Sequence, residues 1–338
     1  MLNGWRWGRS LRGVLIAAAA LAAVVALLLA TGVLLALLQL GRTFGTRGLL
    51  TQVIRFARSD GQDVTGPSQE HISILLLGLP GDGGQAPLLT DTLMLISVQP
   101  ATARVLLLSI PRDLLVPYPD GGWRKLNAAY RIGEAAAPGH GAAFATNIVG
   151  SIIGVPIDGY AVVDFPGVRR VVDDVGGVRI HVDRWFVDYG SLQGAVPVCA
   201  FAHGWQWLDG ERALIFARSR FGNNFEGSDF ARMRRQHKVL LALHERLHAP
   251  GVLLNPFTMA RLGGAIGNAV RTNLEPWQIV ALWRLSGRVR AADVIRTSLA
   301  AEGLVSEARD VDNRYVLHPR DGDFATIREG VARLVRDL

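Results

Sequence analysis

From Gly13 to Leu40 the chain reads GVLIAAAALAAVVALLLATGVLLALLQL, without one charged residue. At about 1.5 Å of rise per residue, a helix of this length exceeds the roughly 20 residues needed to cross a bilayer. The run reads as a transmembrane helix. Arg6, Arg9 and Arg12 precede it, while Arg42 and Arg47 follow it. The positive-inside bias then leaves residues 1–12 in the cytoplasm and everything beyond about Arg42 across the membrane. A cleaved signal peptide is the alternative, but its apolar region is usually only about 7 to 15 residues long. The longer run favours an uncleaved, single-pass anchor in the cell membrane.

Residues 41–70 mix Gly, Arg, Ser, Asp and Gln around one apolar cluster, LLTQVIRFA, and read as a linker. Residues 71–338 are then long enough to bury an ordinary apolar core. They need one, because Cys199 is the only cysteine: no intrachain disulfide and no cysteine-based zinc site is possible. Beside Val198 and Ala200, that thiol reads as a small buried hydrophobe rather than a nucleophile. The balance of 36 Lys plus Arg against 29 Asp plus Glu gives +7. Such an excess suits a polyanion: nucleic acid, an anionic membrane surface or a phosphorylated substrate.

Within 71–338, HISILLLGL is a short apolar run of the kind that forms a strand buried on both faces. TLMLISV and RVLLLSI follow, separated by QPATA, and predict a β-hairpin over residues 92–110. YAVVDF and GVRIHV are further strand candidates. Helical periodicity falls on residues 142–153, 167–175, 209–217, 229–248, 276–286 and 325–334. Interleaved strands and helices imply an α/β (α+β) sandwich with a central sheet. HAPGVLLNPF could mark a boundary, but periodicity resumes at once, so one continuous domain is expected.

Three segments carry polar residues where a core would not choose them. In LSIPRDLLVPYPDGGWRKLNAAY a buried strand runs into Pro111, Arg112 and Asp113, and strand ends in layered α/β folds open onto ligand clefts. Arg112 there would offer a planar fork of donors to a phosphate or carboxylate, or else simply pair with Asp113. Lys125 and Asn127 could add a cation and an amide donor. In ALIFARSRFGNNFEGSDFARMRRQHKVL, Arg218 and Arg220 would share a side if extended, and Ser228 or Asp229 could cap the next helix. On that helix Asp229, Arg232, Arg235 and Gln236 form one connected face, leaving Arg234 and Lys238 to solvent. A solvated basic face is the bland alternative. In LPGDGGQAPLLTDTLML, no Walker loop is present, but Asp82 and Asp91 are hard oxygen ligands suited to magnesium; either could instead cap a turn. GxSxG and HExxH are absent, and the eight His show no ligand spacing.

These blocks, with VPIDGYAVVDFPGVRRVVDDVGGVRIHV, GWQWLDGERALIFARSR and TNLEPWQIVAL, occur in an order that resembles the LytR-CpsA-Psr cell-envelope proteins. The resemblance implies a mixed sheet flanked by helices, with an apolar tunnel for a lipid chain. It implies transfer of a glycopolymer from a polyprenyl-pyrophosphate carrier to peptidoglycan or a comparable acceptor. Carried over by position, Arg112, Arg218, Arg220, Arg232, Arg235 and Gln236 would hold the phosphates. Asp91 would carry magnesium and help accept the attacking hydroxyl's proton, and Asp229 would cap the arginine helix. The family pattern usually has an acidic residue two positions after the Gly that ends the first strand, and an Arg shortly before the DT pair. Here Pro80 and Leu89 stand at those places, which implies a weaker magnesium site, one shifted to Asp82, or none. A non-catalytic lipid-phosphate scaffold and a transcriptional attenuator are the competing functions; an outward-facing domain has no genome to read, so no nucleic-acid partner is expected.

Overall fold

The computed structural model describes residues 70–81, 88–190 and 198–338. The apolar run, most of the linker and Asp82 lie outside the described residues. No described helix is long and apolar enough to cross a membrane.

The centre is a mixed sheet. β1 (Ile72–Leu79), β2 (Thr92–Gln99) and β3 (Arg104–Ser109) pair antiparallel, with the expected hairpin in register from Met94↔Ser109 to Gln99↔Arg104. β4 (Leu115–Pro117) and β5 (Trp123–Lys125) make a small ribbon, followed by α1 (Ala129–Ala136) and α2 (Gly141–Ile153). β6 (Gly159–Asp164) returns parallel to β1 and leads into α3 (Phe165–Asp174). An outlying unit then forms from β7 (Val178–Val182), β8 (Phe186–Asp188), β9 (Cys199–Phe201) and β10 (Gly204–Leu208), with β7 paired to β10 and β8 to β9.

Helices α4 (Gly210–Arg218), α5 (Asp229–Leu247), α6 (Pro250–Leu253) and α7 (Pro256–Ala269) follow. β11 (Val270–Thr272) closes one sheet edge against β6. After α8 (Pro276–Ser286), β12 (Val294–Ser298) closes the other edge parallel to β3. A hairpin of β13 (Val305–Arg309) and β14 (Tyr315–Pro319) and then α9 (Ala325–Arg336) complete the chain.

Period-2 alternation along ISILLLGL sends Leu75, Leu77 and Leu79 to one face and Ile72 and Ile74 to the other. The first face is closed: Leu75, Leu95, Leu106 and Leu108 are 0% exposed and pack with Ile148 and Val149 of α2 and Ile327 and Val331 of α9. Each such leucine contributes roughly 1.5–3 kcal/mol by leaving water. The second face meets α5 and α8 and is incompletely filled. Between β2, β3, β12 and these helices lies a hollow of about 180 Å³, lined by Ile96, Val98, Leu107, Leu241, Leu282 and Val294 among others, with His244 and Ser286 its polar members.

In the stretch HAPGVLLNPF, Val252 packs in one cluster with Leu262 of α7, Val171 of α3 and Val175 just past its end. Helices α3 and α7 cross closely because Gly167 has no side chain; a Cβ there would lie 2.3 Å from that of Ala269. Gly167→Ala should therefore destabilise the fold by about 1–3 kcal/mol through overpacking. A lower urea midpoint at unchanged slope would register it.

Candidate functional site

The C-terminal ends of β1 and β3 and the N-terminal end of β2 meet at one rim of the sheet. Pro111 has no N–H for a further rung, so β3 stops and Arg112 leaves the sheet. Backbone bonds lock the rim: Asp91 N–H to Gly78 O at 2.9 Å, Thr90 N–H to Asn127 O at 3.1 Å, and Asn127 N–H to Arg112 O at 3.0 Å. From the other side, α4 is N-capped by Asp209 and ends at Arg218, and α5 begins at Asp229. The resulting cleft, about 780 Å³, is lined by Asp91, Arg112, Lys125, Asn127, Arg218, Arg220 and Arg232.

Within this cluster five cations face three carboxylates. Arg112 is paired to Asp91, and its Nε lies 3.5 Å from Asp113. Lys125 donates to Asp113 at 2.7 Å. Burial alone would raise the Asp113 pKa, but the Lys125 hydrogen bond and the Arg112 charge outweigh it and hold the carboxyl below its usual range. Arg220 and Arg232 share Asp229 Oδ1, each at 2.8 Å. Arg218 has no carboxylate partner among the described residues; its guanidinium stands 4.5 Å over the Phe165 ring. Burial lowers the Arg232 pKa to about 10, so it stays charged at neutral pH. The Nε atoms of Arg112 and Arg232 are buried with no hydrogen-bond partner. A buried donor left unsatisfied costs about 1–3 kcal/mol, and Asp113 Oδ2 at 3.5 Å offsets part of that cost at Arg112 Nε.

The expected helix face splits. Gln236 stays beside the site, lining a narrow crevice with Asp91, Arg112 and Arg232. Arg235 does not reach the cleft. It is 3% exposed and paired to Glu226, and it donates to the carbonyls of Phe216 at 2.8 Å, Glu226 at 3.0 Å and Ser219. The reason is the helix period: at i+3 from Arg232 it has rotated far enough to meet the end of α4. Arg235 therefore clamps the backbone around Arg218 and Arg220. Ser228, not Asp229, caps α5, accepting from Ala231 N–H at 3.1 Å. Lys238 is not left to solvent, since it pairs with Asp183 at 2.6 Å.

Asp113, Phe165 and the pair of Asp188 with Ser219 Oγ at 2.8 Å were not singled out as site residues from sequence. Asp113 follows Arg112 directly and was legible only as its partner. Phe165 and Asp188 carry no local signal, because the fold alone brings them to the arginines.

His237 sits beside the site on α5, 4% exposed, with Nε2 2.9 Å from Ser109 Oγ. Burial, aided by the charge of Arg296, lowers its pKa from 6.5 to about 4. The folded pKa is depressed, so this histidine's stabilisation is complete above about pH 6.5 and is lost as pH falls toward 4. The loss is about 3 kcal/mol at roughly 1.36 kcal/mol per pKa unit. His237→Gln should flatten that limb when urea midpoints at pH 7 and pH 4.5 are compared.

A magnesium ion finds a limited donor set. Both Asp113 oxygens face cations, and no group of three or more His, Cys, Asp or Glu suited to a metal occurs among the described residues. Asp91 has Oδ1 paired to Arg112 and side-chain exposure of 24%. One carboxylate suffices when substrate phosphates supply further oxygens, as magnesium sites commonly use. Pro80 and Leu89 both line the cleft wall and offer no side-chain donor.

The sequence model of the LytR_cpsA_psr family matches residues 51–329. The chain belongs to that family. Among curated proteins it is 26% identical over 275 residues to the polyisoprenyl-teichoic acid–peptidoglycan teichoic acid transferase TagV of Bacillus subtilis (strain 168), covering 79% of this chain and 65% of TagV. It is 34% identical over 231 residues to the probable cell wall biosynthesis protein LcpB of Corynebacterium glutamicum, covering 68% of this chain and 49% of LcpB. The chain thus spans between half and two thirds of these relatives' lengths. The crystal structure of B. subtilis TagV superposes with a TM-score of 0.61 at 24% identity, over 80% of this chain and 98% of that one, which shows the shared fold.

Proposed function

We propose that the protein is a phosphotransferase that moves a glycopolymer phosphate from a polyprenyl-pyrophosphate-linked precursor to a hydroxyl of peptidoglycan or another cell-wall acceptor. Helix α5 carries the reading. Its first turns bring Arg232 to the arginine cleft and Gln236 to the crevice beside it, and Leu240 and Leu241, one turn further, line the apolar hollow. A pyrophosphate joined to a prenyl chain has the same succession of charge and hydrocarbon, about one helical turn apart.

In this reading the acceptor oxygen attacks the phosphorus that bears the glycan. The bond from that phosphorus to the bridging oxygen breaks, a phosphodiester forms, and polyprenyl monophosphate leaves. Phosphoryl transfer needs charge neutralisation and in-line positioning more than a covalent protein group. Arg112, Arg218, Arg220 and Arg232 supply the charge, Lys125, Asn127 and Gln236 add donors, and Asp91 accepts the hydroxyl's proton. Magnesium bound at Asp91 together with the phosphates would add further neutralisation. Residues 13–40 anchor the chain in the cell membrane, with the cleft outside the cytoplasm; nucleic acid has no part in this.

Full-length protein in detergent, given a polyprenyl-pyrophosphate glycan, an acceptor and magnesium, should release polyprenyl monophosphate. Narrowing the hollow with Ile96→Trp should raise KM about tenfold for a long prenyl donor and leave a short-prenyl donor unchanged. Equal effects on both would remove the hollow as the lipid site. A binding protein without turnover is the second reading, favoured by Pro80 and Leu89 in the cleft wall. Lipid-pyrophosphate binding without product over several acceptors would decide for it.

A further inference from the structure

We infer that the outer face of the β7–β10 ribbon is a second binding surface, built for an anionic glycan strand. β10 reads GWQWL, and alternation puts Trp205 and Trp207 on one face, about 7 Å apart along the strand. They are 60% and 55% exposed. Both indoles are nonetheless held in place. Arg179 stands 4.8 Å over Trp205, Arg246 stands 5.4 Å over Trp207, and Trp207 Nε1–H donates to Gly176 O at 2.9 Å. The backbone is shaped around the second ring: Gly177 has φ +90°, and a Cβ there would lie 2.5 Å from Trp207 Nε1. The His181 ring meets the edge of Trp205 at 5.3 Å, and His203 meets His181 at 5.7 Å.

The chemistry of the neighbours selects the partner. A pyranose presents C–H groups on its faces and hydroxyls around its rim, so it stacks on an indole while its rim meets hydrogen-bonding groups. Here the rim groups are imidazoles and guanidiniums, and the cations add attraction for phosphates or carboxylates along the strand. A membrane or protein dock would need contiguous apolar area around the indoles. The two indoles instead have Arg179, Arg246 and His181 against them. Asp183 is the carboxylate of this surface, and Lys238 and His181 both pair with it.

Location adds a functional consequence. Lys238 Nζ bonds His181 O at 2.9 Å, so the ribbon runs beside α5. Arg246 lies fourteen residues beyond Arg232, about 21 Å along the helix. A single repeating unit at the cleft would not reach the indoles, whereas a polymer of several saccharides would. The surface therefore favours long strands over short ones. Its assignment to a glycan rests on the glycopolymer reading of the cleft.

Oligogalacturonate, a defined anionic glycan, is the probe, with neutral dextran and phosphatidylglycerol vesicles as comparisons. By calorimetry with full-length protein in detergent, Trp205→Ala/Trp207→Ala should weaken oligogalacturonate binding at least tenfold, and the surface variant Arg179→Glu at least threefold. The surface variant Arg290→Ala, at an 81% exposed arginine paired to Asp293 outside both sites, should bind it as the wild type does. Far-ultraviolet circular dichroism and thermal melts check that the variants fold, and Arg179→Glu removes the cation while keeping both indole side chains. Equal binding by wild type and double variant overturns the inference. So does a wild type that ignores oligogalacturonate yet sediments with vesicles through Trp205, which would make this a membrane surface. A protein that binds the glycan here but transfers nothing overturns the function proposed above and leaves this surface standing.

Discussion

Arg218→Ala should lower kcat/KM for a polyprenyl-pyrophosphate donor about a thousandfold, the scale set by removing one preorganised cation from a phosphoryl or oxyanion site. The same change should cost little stability. Arg218 makes no ion pair among the described residues, and what it loses is its position over Phe165, worth about 1 kcal/mol. The variant separates chemistry from folding for that reason. Arg218→Lys should recover only part of the loss, because an ammonium restores charge without the planar fork. Single-turnover release of polyprenyl monophosphate, read beside thermal melts, checks both halves. A tenfold effect or smaller would remove Arg218 from the reacting centre.

Arg235→Ala should show the reverse order of effects. Removing one partner of a buried ion pair costs about 3–5 kcal/mol, and here Glu226, 9% exposed, would keep only the solvent-exposed Arg234 at 3.4 Å. The carbonyls of Phe216 and Ser219 would lose donors as well. A large fall in urea midpoint at unchanged slope is the expected result. Replacing the pair by Arg235→Met with Glu226→Leu should restore most of the stability, since apolar groups of similar volume can substitute for a buried pair. Transfer should stay impaired in that double variant, because nothing then fixes the carbonyls on either side of Arg218. Full activity in it would mean that α4 holds its end without the clamp.

Much of the fold was legible because its elements are long and strongly patterned. The hairpin of β2 and β3, helix α8 and the start of α5 fall where alternation, helical period and capping residues put them. The short ribbons β4–β5 and β8–β9 have three-residue strands, too brief for any period to register, and their pairing is set by tertiary contacts. In the site, Arg112, Arg218, Arg220 and Arg232 come together as expected from their segments. Arg235 departs from its expected face, turning to Phe216 O and Glu226. Helical spacing says which residues neighbour one another, but not which neighbour faces solvent and which meets the end of another helix. Only the packing of α4 against α5 decides that.

The half-filled face of the central sheet has a thermodynamic corollary. One side of β2, β3 and β12 rests on a closed core, while the other rests on a void whose walls are almost all hydrocarbon. Any chain molecule threaded there would complete the layer. Binding should carry a negative heat-capacity change and slow amide exchange in those strands and in α8. The melting temperature should climb with the logarithm of ligand concentration. Vacant and loaded protein would thus differ in resistance to unfolding as well as in readiness to react, and the amount of surviving protein in a cell would follow the supply of its ligand.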